Sequence, residues 1–235
     1  MFFIGEGGLL TRAVDFVISL GLPIDGIVTQ KPLPKRYREK YNIDILETIE
    51  INEISNWLLS KNSDGLVWSI NNKCLIKPNL LNLPGFTFLN IHNGLVPNYR
   101  GRAEICVFFS ILNSEQYYGA TLHEIDEGID TGPVLATKKF AINAEDTFAT
   151  VMSKSILQCH DLFKLECYRL YNLKIINQTT AQKKVTKEIG ETYSYKSLVL
   201  ALPFKKSPSW RKAIELGPYS SVFPKLSKWI NSISE

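Results

Sequence analysis

The sequence predicts an α/β fold on a mostly parallel sheet, with a small C-terminal extension. Three observations lead there. The chain opens with a short apolar strand, a glycine-rich turn, an amphipathic helix and a second strand, the first unit of a doubly wound sheet. Short apolar runs then alternate with helical stretches up to a long helix ending near residue 171. Finally, Asn90 and His92 fall at the carboxyl end of an apolar run, where open α/β sheets hold their ligands.

Residues 2–4 read as the first strand, Gly5-Glu6-Gly7-Gly8 as the turn, and the run to Leu20 as a helix stopped by Gly21. Residues 24–29 form the second strand. The turn is GEGG rather than GxGxxG, and no acid follows at the ribose position, so it reads as a tight turn and only weakly as a dinucleotide signal. KPLPKRYREK, residues 31–40, has two prolines and five basic residues and reads as a loop. A short strand at 43–46, a helix at 52–60 and strands at 66–70 and 86–91 follow. Residues 104–112 read as a helix. Strands at 119–125 and 134–142 flank an acidic loop. Residues 146–171 make the long helix, 193–204 a further strand and 219–232 a terminal helix. The corresponding division is a catalytic domain over 1–172 and a small extension over 173–235.

Composition narrows the function. The apolar runs are too short to span a bilayer, and MFFIGEGG lacks the basic and long apolar regions of a signal peptide. The expectation is a cytoplasmic protein without a membrane partner. Cys74, Cys106, Cys159 and Cys167 have no CxxC spacing and no histidine set to complete a metal site, so they read as reduced structural thiols and no metal is expected. Residues 171–235 carry a net charge of +7, against −3 for the first 170. Such a tail suits an anionic partner or a solvated face. Trp57, Trp68, Phe108 and Phe109 read as core; Trp210 and Tyr219 are candidates to stack on a base.

The chemistry concentrates in NIHNGLVPNYRG (90–101) and GATLHEIDEGIDTG (119–132). Side chains alternate along a strand, so Asn90 and His92 share a face. Asp130 closes the acidic loop. An amide donor, an imidazole and a carboxylate from separate segments are the parts of an acyl-transfer centre. His123, on the strand before the acidic loop, reads as a buried, hydrogen-bonded residue.

NIHNGLVPNYRG resembles the Asn-x-His…Leu-x-Pro-x-Tyr-Arg-Gly motif of the folate-dependent formyltransferases, and GATLHEIDEGIDTG is similar to their Gly-x-Thr…Asp-x-Gly segment. The resemblance runs over about residues 1–170. It implies a Rossmann-like catalytic domain and 10-formyltetrahydrofolate as donor. It implies that Asn90 bonds the formyl oxygen and the later oxyanion, that His92 stabilises or protonates the intermediate, and that Asp130 pairs with the imidazole and moves protons. The pterin is implied at backbone groups of Asn72 to Leu75, with Cys74 and Leu75, and of Asp126 to Ile129, with Asp126, Glu127 and Gly128. Tyr99 and Arg100 are implied on the acceptor side. Two positions depart from the family: Asn93 stands where proline is common, and Gly94 where serine is usual.

Among the family's branches, the resemblance is greatest to the nucleotide-sugar N-formyltransferases, which act on dTDP-4-amino-4,6-dideoxyhexoses made for O-antigen. The implied partner is a nucleotide sugar, with no nucleic acid and with a homodimer as one arrangement. Glycinamide ribonucleotide or methionyl-tRNA formyltransferase is the alternative, and a catalytically silent binder of folate or nucleotide sugar a second.

Overall fold

A computed structural model describes residues 1–176 and 190–234. Strands β1 (Phe2–Gly5), β2 (Gly26–Thr29), β3 (Ile45–Glu47), β4 (Leu66–Ile70), β5 (Thr87–His92), β7 (Tyr117–Glu124) and β8 (Val134–Ala141) form a seven-stranded sheet of order β3-β2-β1-β4-β5-β7-β8. β3 to β5 pair in parallel, with Phe3 opposite Trp68 and Ser69 opposite Asn90. Backbone bonds from Glu124 to Pro133 and from Ile142 to Gln116 make β7 and β8 an antiparallel pair. The sheet is therefore mostly parallel, as the sequence predicts. A second, two-stranded sheet joins β6 (Arg100–Gly101) to β9 (Thr192–Tyr193).

Two compact units divide the chain. The first holds Met1–Ile91, Leu122–Ala136 and residues 160–176. The second holds His92–Thr121, Thr137–Cys159 and residues 190–234.

In the first unit, period-two alternation buries both faces of the parallel strands. Phe3 and Trp68 turn one way, and the Phe163 ring of helix α6 (Phe148–Ile176) packs on both, at 6.1 and 4.9 Å between centroids. Phe2, Ile4, Val67 and Phe88 turn the other way onto Ile51, Leu58 and Leu80. Those three come from a short 3-10 turn (Ile51–Glu53) and helices α3 (Ser55–Leu59) and α4 (Pro78–Leu81). Trp57 packs edgewise on Phe2. Helix α1 (Gly7–Ser19) buries Leu10, Ala13, Val14 and Val17, at helical spacing. The basic segment 31–40, predicted as loop, ends in helix α2 (Arg36–Glu39). Its Tyr37 is buried, with the hydroxyl donating to Asp15 at 2.9 Å, so one anchored ring converts a polar segment into a helical turn.

In the second unit, helix α5 (Ala103–Leu112) is buried from Glu104 to Leu112. Around it lie helix α7 (Pro208–Ala213), helix α9 (Pro224–Ser234) and a 3-10 helix over Tyr195–Phe204; α8 (Tyr219–Val222) is a single turn. The predicted strand over 193–204 is thus corrected to one strand residue, Tyr193, followed by the 3-10 helix. Ser194 caps it, accepting from the Lys196 N–H while Ser197 accepts from the Ser194 N–H, and Pro203 has no N–H for a ladder. Trp210, a candidate for base stacking, is buried against Phe108 and Trp229. The expected core residues Trp68, Phe108 and Phe109 are buried.

Tyr193 closes this core, stacked between Tyr99 at 5.4 Å and Phe109 at 4.7 Å. Its backbone runs beside Gly101, where φ is +103° and a Cβ would come within 2.3 Å of the Tyr193 carbonyl oxygen. Gly101→Ala is therefore expected to cost roughly 2–4 kcal/mol of stability, read as a lowered urea midpoint with unchanged m-value. An unchanged midpoint would remove β6–β9 pairing as a stability element.

Candidate active site

The carboxyl end of β5 presents Asn90 beside the end of β7. Ile125, just past β7, donates its N–H to the Phe88 carbonyl at 2.8 Å, which fixes the two strands side by side. Asn90 Nδ2 then lies 3.1 Å from His123 Nε2 and 3.4 Å from Asp130 Oδ1. The His123 and Asp130 atoms are themselves 3.4 Å apart. His123 Nδ1 is 2.7 Å from the Glu124 carbonyl oxygen. A carbonyl only accepts, so Nδ1 carries a proton and, in the neutral ring, Nε2 holds the lone pair that takes an Asn90 N–H. The Asn90 amide is thereby oriented with its nitrogen towards the ring and the acid.

Asp130 sits in the left-handed region at φ +51°. The loop around it is knotted by Asp126, whose Oδ1 accepts from the Gly128 N–H at 3.1 Å and from the Thr131 hydroxyl at 2.6 Å. This Asx turn fixes the acidic loop internally. Glu127 and Gly128 are exposed beside it.

The loop after β4 has a similar knot. Asn72 accepts from the Cys74 N–H at 3.0 Å and donates to the Cys74 carbonyl at 2.9 Å, and Gln30 Nε2 lies 2.9 Å from the Cys74 thiol. Leu75 projects into solvent, and its carbonyl accepts from Asn52 at 3.1 Å. Ile129 in the acidic loop is exposed as well.

His92 belongs to the second unit and is buried there. Its Nε2 donates to the Tyr99 carbonyl at 2.7 Å, which places the lone pair of the neutral ring on Nδ1. The segment between them is braced from β7. Thr121 donates to the Gly94 carbonyl at 2.7 Å and accepts from the Val96 N–H at 3.1 Å, and Tyr118 donates to the Asn93 carbonyl at 2.9 Å. A Cβ on Gly94 would lie 2.4 Å from both His92 Nε2 and the Tyr99 oxygen. The imidazole–carbonyl bond fills the space that a serine side chain would need, which accounts for glycine at this position.

Tyr99 and Arg100 are bonded within the second unit. The Tyr99 ring is buried, and its hydroxyl donates to Glu115 at 2.7 Å while accepting from Asn113 at 3.2 Å. Burial, reinforced by Glu115, pushes this phenol well above its ordinary pKa. The Arg100 guanidinium donates to the Gly190 carbonyl. The structure thus joins Asn90 to Asp130 through His123, a residue read from sequence as structural, and joins His92 to the Tyr99 backbone. Among the described residues, no group of three or more His, Cys, Asp or Glu side chains is placed to hold a metal, and no helix is long and apolar enough to cross a membrane.

The model of the formyl transferase family matches residues 35–164, more than half of the chain. A methionyl-tRNA formyltransferase of Pelotomaculum thermopropionicum is 28% identical over 162 residues, covering 63% of this chain. The chain spans about half of that relative's length, at 51%. A 4-N formyltransferase of Francisella tularensis superimposes with a TM-score of 0.66 at 22% identity, over 91% of this chain and 86% of that one. An N-formyltransferase of Helicobacter canadensis, solved with folinic acid and dTDP-3-aminofucose, gives 0.61 at 21% identity, over 83% and 70%. The fold is shared with these structures, and the family match encloses Asn90, His92, His123 and Asp130. The chain belongs to the formyl transferase family.

Proposed function

We propose that the chain transfers a formyl group from 10-formyltetrahydrofolate to the amine of a nucleotide-linked amino sugar. The observation that carries this reading is the Asn90 amide, held 3.1 Å from His123 and 3.4 Å from Asp130 at a strand end. The amine attacks the formyl carbon, and the carbonyl oxygen becomes an oxyanion. The C–N10 bond then breaks, N10 takes a proton and the attacking nitrogen loses one. Asn90 gives the oxyanion the N–H that otherwise faces Asp130 at 3.4 Å, keeping its bond to His123, a contribution of roughly 3–4 kcal/mol for one such donor elsewhere. Asp130 accepts the proton that leaves the amine. His123 acts through Asn90 as a positioning residue, because its Nε2 lone pair selects the amide orientation. For His92, the resemblance to the family supports a role in proton transfer.

The folate donor fits two features. The loops at 72–75 and 126–129 are stiffened by Asx knots, which leaves preset backbone groups for a pterin. Leu75 and Ile129 are exposed apolar side chains on those loops, suited to a flat heteroaromatic ring. For the acceptor, the Helicobacter canadensis structure solved with dTDP-3-aminofucose aligns over 83% of this chain, and its ligand supports the amino-sugar reading. The identity to a methionyl-tRNA formyltransferase favours tRNA as the second reading.

Formylation adds the mass of one CO. Incubating the protein with 10-formyltetrahydrofolate and a panel of amines is expected to give that gain on a nucleotide amino sugar. A gain only on methionyl-tRNA or glycinamide ribonucleotide overturns the acceptor class. Asn90→Ala is expected to lower kcat by about 10²-fold. With Asp130→Asn the loss is less than multiplicative, because both residues act on one intermediate; full multiplicativity would separate them. Gly94→Ser, although it restores the commoner family residue, is expected to lower activity by about tenfold or more, since it breaks the His92–Tyr99 bond. Wild-type activity in that variant would show that His92 does not need this anchor.

A further inference from the structure

The 3-10 helix over Tyr195–Phe204 carries an unusual outer surface. In a 3-10 helix, side chains three residues apart stack in rows. Leu198 and Ala201 lie in the inward row and are buried. The two outward rows read Lys196-Val199-Leu202-Lys205 and Ser197-Leu200-Pro203-Lys206. Val199 is 62% exposed, Leu200 61%, Leu202 41% and Phe204 36%, and Pro203, Lys205 and Lys206 are exposed beside them. Four neighbouring apolar residues of the outward rows, Val199, Leu200, Leu202 and Pro203, therefore face solvent with lysines at both ends, and Phe204 at the end of the inward row is partly exposed beside them. Contiguous exposed apolar surface rimmed by charge marks an interaction site.

The charge decides between occupants. A second copy docked through this face on a two-fold axis would set Lys196, Lys205 and Lys206 against themselves. Single-stranded nucleic acid would satisfy the lysines, but bases stack on aromatic rings; Val199, Leu200, Leu202 and Pro203 offer none, and Phe204, in the inward row, is the single ring at their edge. An anionic bilayer answers both features: the apolar side chains enter the acyl boundary while the lysines reach the lipid phosphates.

We propose that this face docks the protein on an anionic lipid surface, as a peripheral contact independent of the formyl-transfer reading. The test is cosedimentation of the whole protein with phosphatidylglycerol or phosphatidylcholine vesicles. The expected result is binding to phosphatidylglycerol alone, falling as salt rises. Leu200→Ser with Leu202→Ser, and separately Lys205→Glu with Lys206→Glu, should each weaken binding by about tenfold or more. All these residues are exposed, and unchanged circular dichroism and melting would certify the fold of each variant. No sedimentation, or equal binding to both lipids that neither variant alters, overturns the proposal. So does a solution dimer that Leu200→Ser with Leu202→Ser dissociates, which assigns the face to a second copy. Retention of RNA but not vesicles, lost in the lysine variant, assigns it to nucleic acid.

Discussion

The hydrogen bond from His123 Nδ1 to the Glu124 carbonyl sets the chemistry of the strand ends. It decides which nitrogen of the neutral ring is basic, and the answer turns Nε2 towards Asn90. An amide has one donor end and one acceptor end, and only the donor end can satisfy that lone pair. The amide nitrogen then faces Asp130 as well, so a single backbone acceptor orients three side chains from β5, β7 and the acidic loop.

The second imidazole obeys the same rule. The Tyr99 carbonyl claims His92 Nε2–H and places the lone pair on Nδ1. Each histidine of the two motif segments therefore has its tautomer fixed by main chain, which costs little side-chain entropy at the site. The remaining scaffold serves these bonds. Thr121 and Tyr118 hold the segment after His92, and the stacked rings of Tyr99, Tyr193 and Phe109 hold the residue whose carbonyl it meets.

Much of this was legible in residue order. Apolar runs of strand length announced β1, β2, β4 and β5, and the two motif segments marked the strand end and the loop that carry Asn90 and Asp130. His123 was legible as a residue but not as a partner, because sequence does not say that β7 is the strand beside β5. The first turn shows the same limit. GEGG was readable as a tight turn, but the buried Glu6 carboxylate, paired with Lys73 and 3.7 Å from Lys31, comes from three separate strand ends. A carboxylate there stands where doubly wound folds place a phosphate against the first helix, which agrees with the poor dinucleotide signature. The 193–204 run misled because hydrophobicity alone does not separate a strand from a 3-10 helix. Ser194 and Pro203 carried the distinguishing chemistry, capping at one end and a missing N–H near the other.

Asp130 completes the argument. A non-glycine residue at φ +51° costs on the order of 1–3 kcal/mol, and something must hold it there. Its contacts to Asn90 and His123 are both 3.4 Å. The Asp126 knot, with bonds of 2.6 and 3.1 Å to Thr131 and Gly128, supplies the constraint from within the loop. The strain is thus met within the loop itself, by a backbone and a hydroxyl donor to one carboxylate.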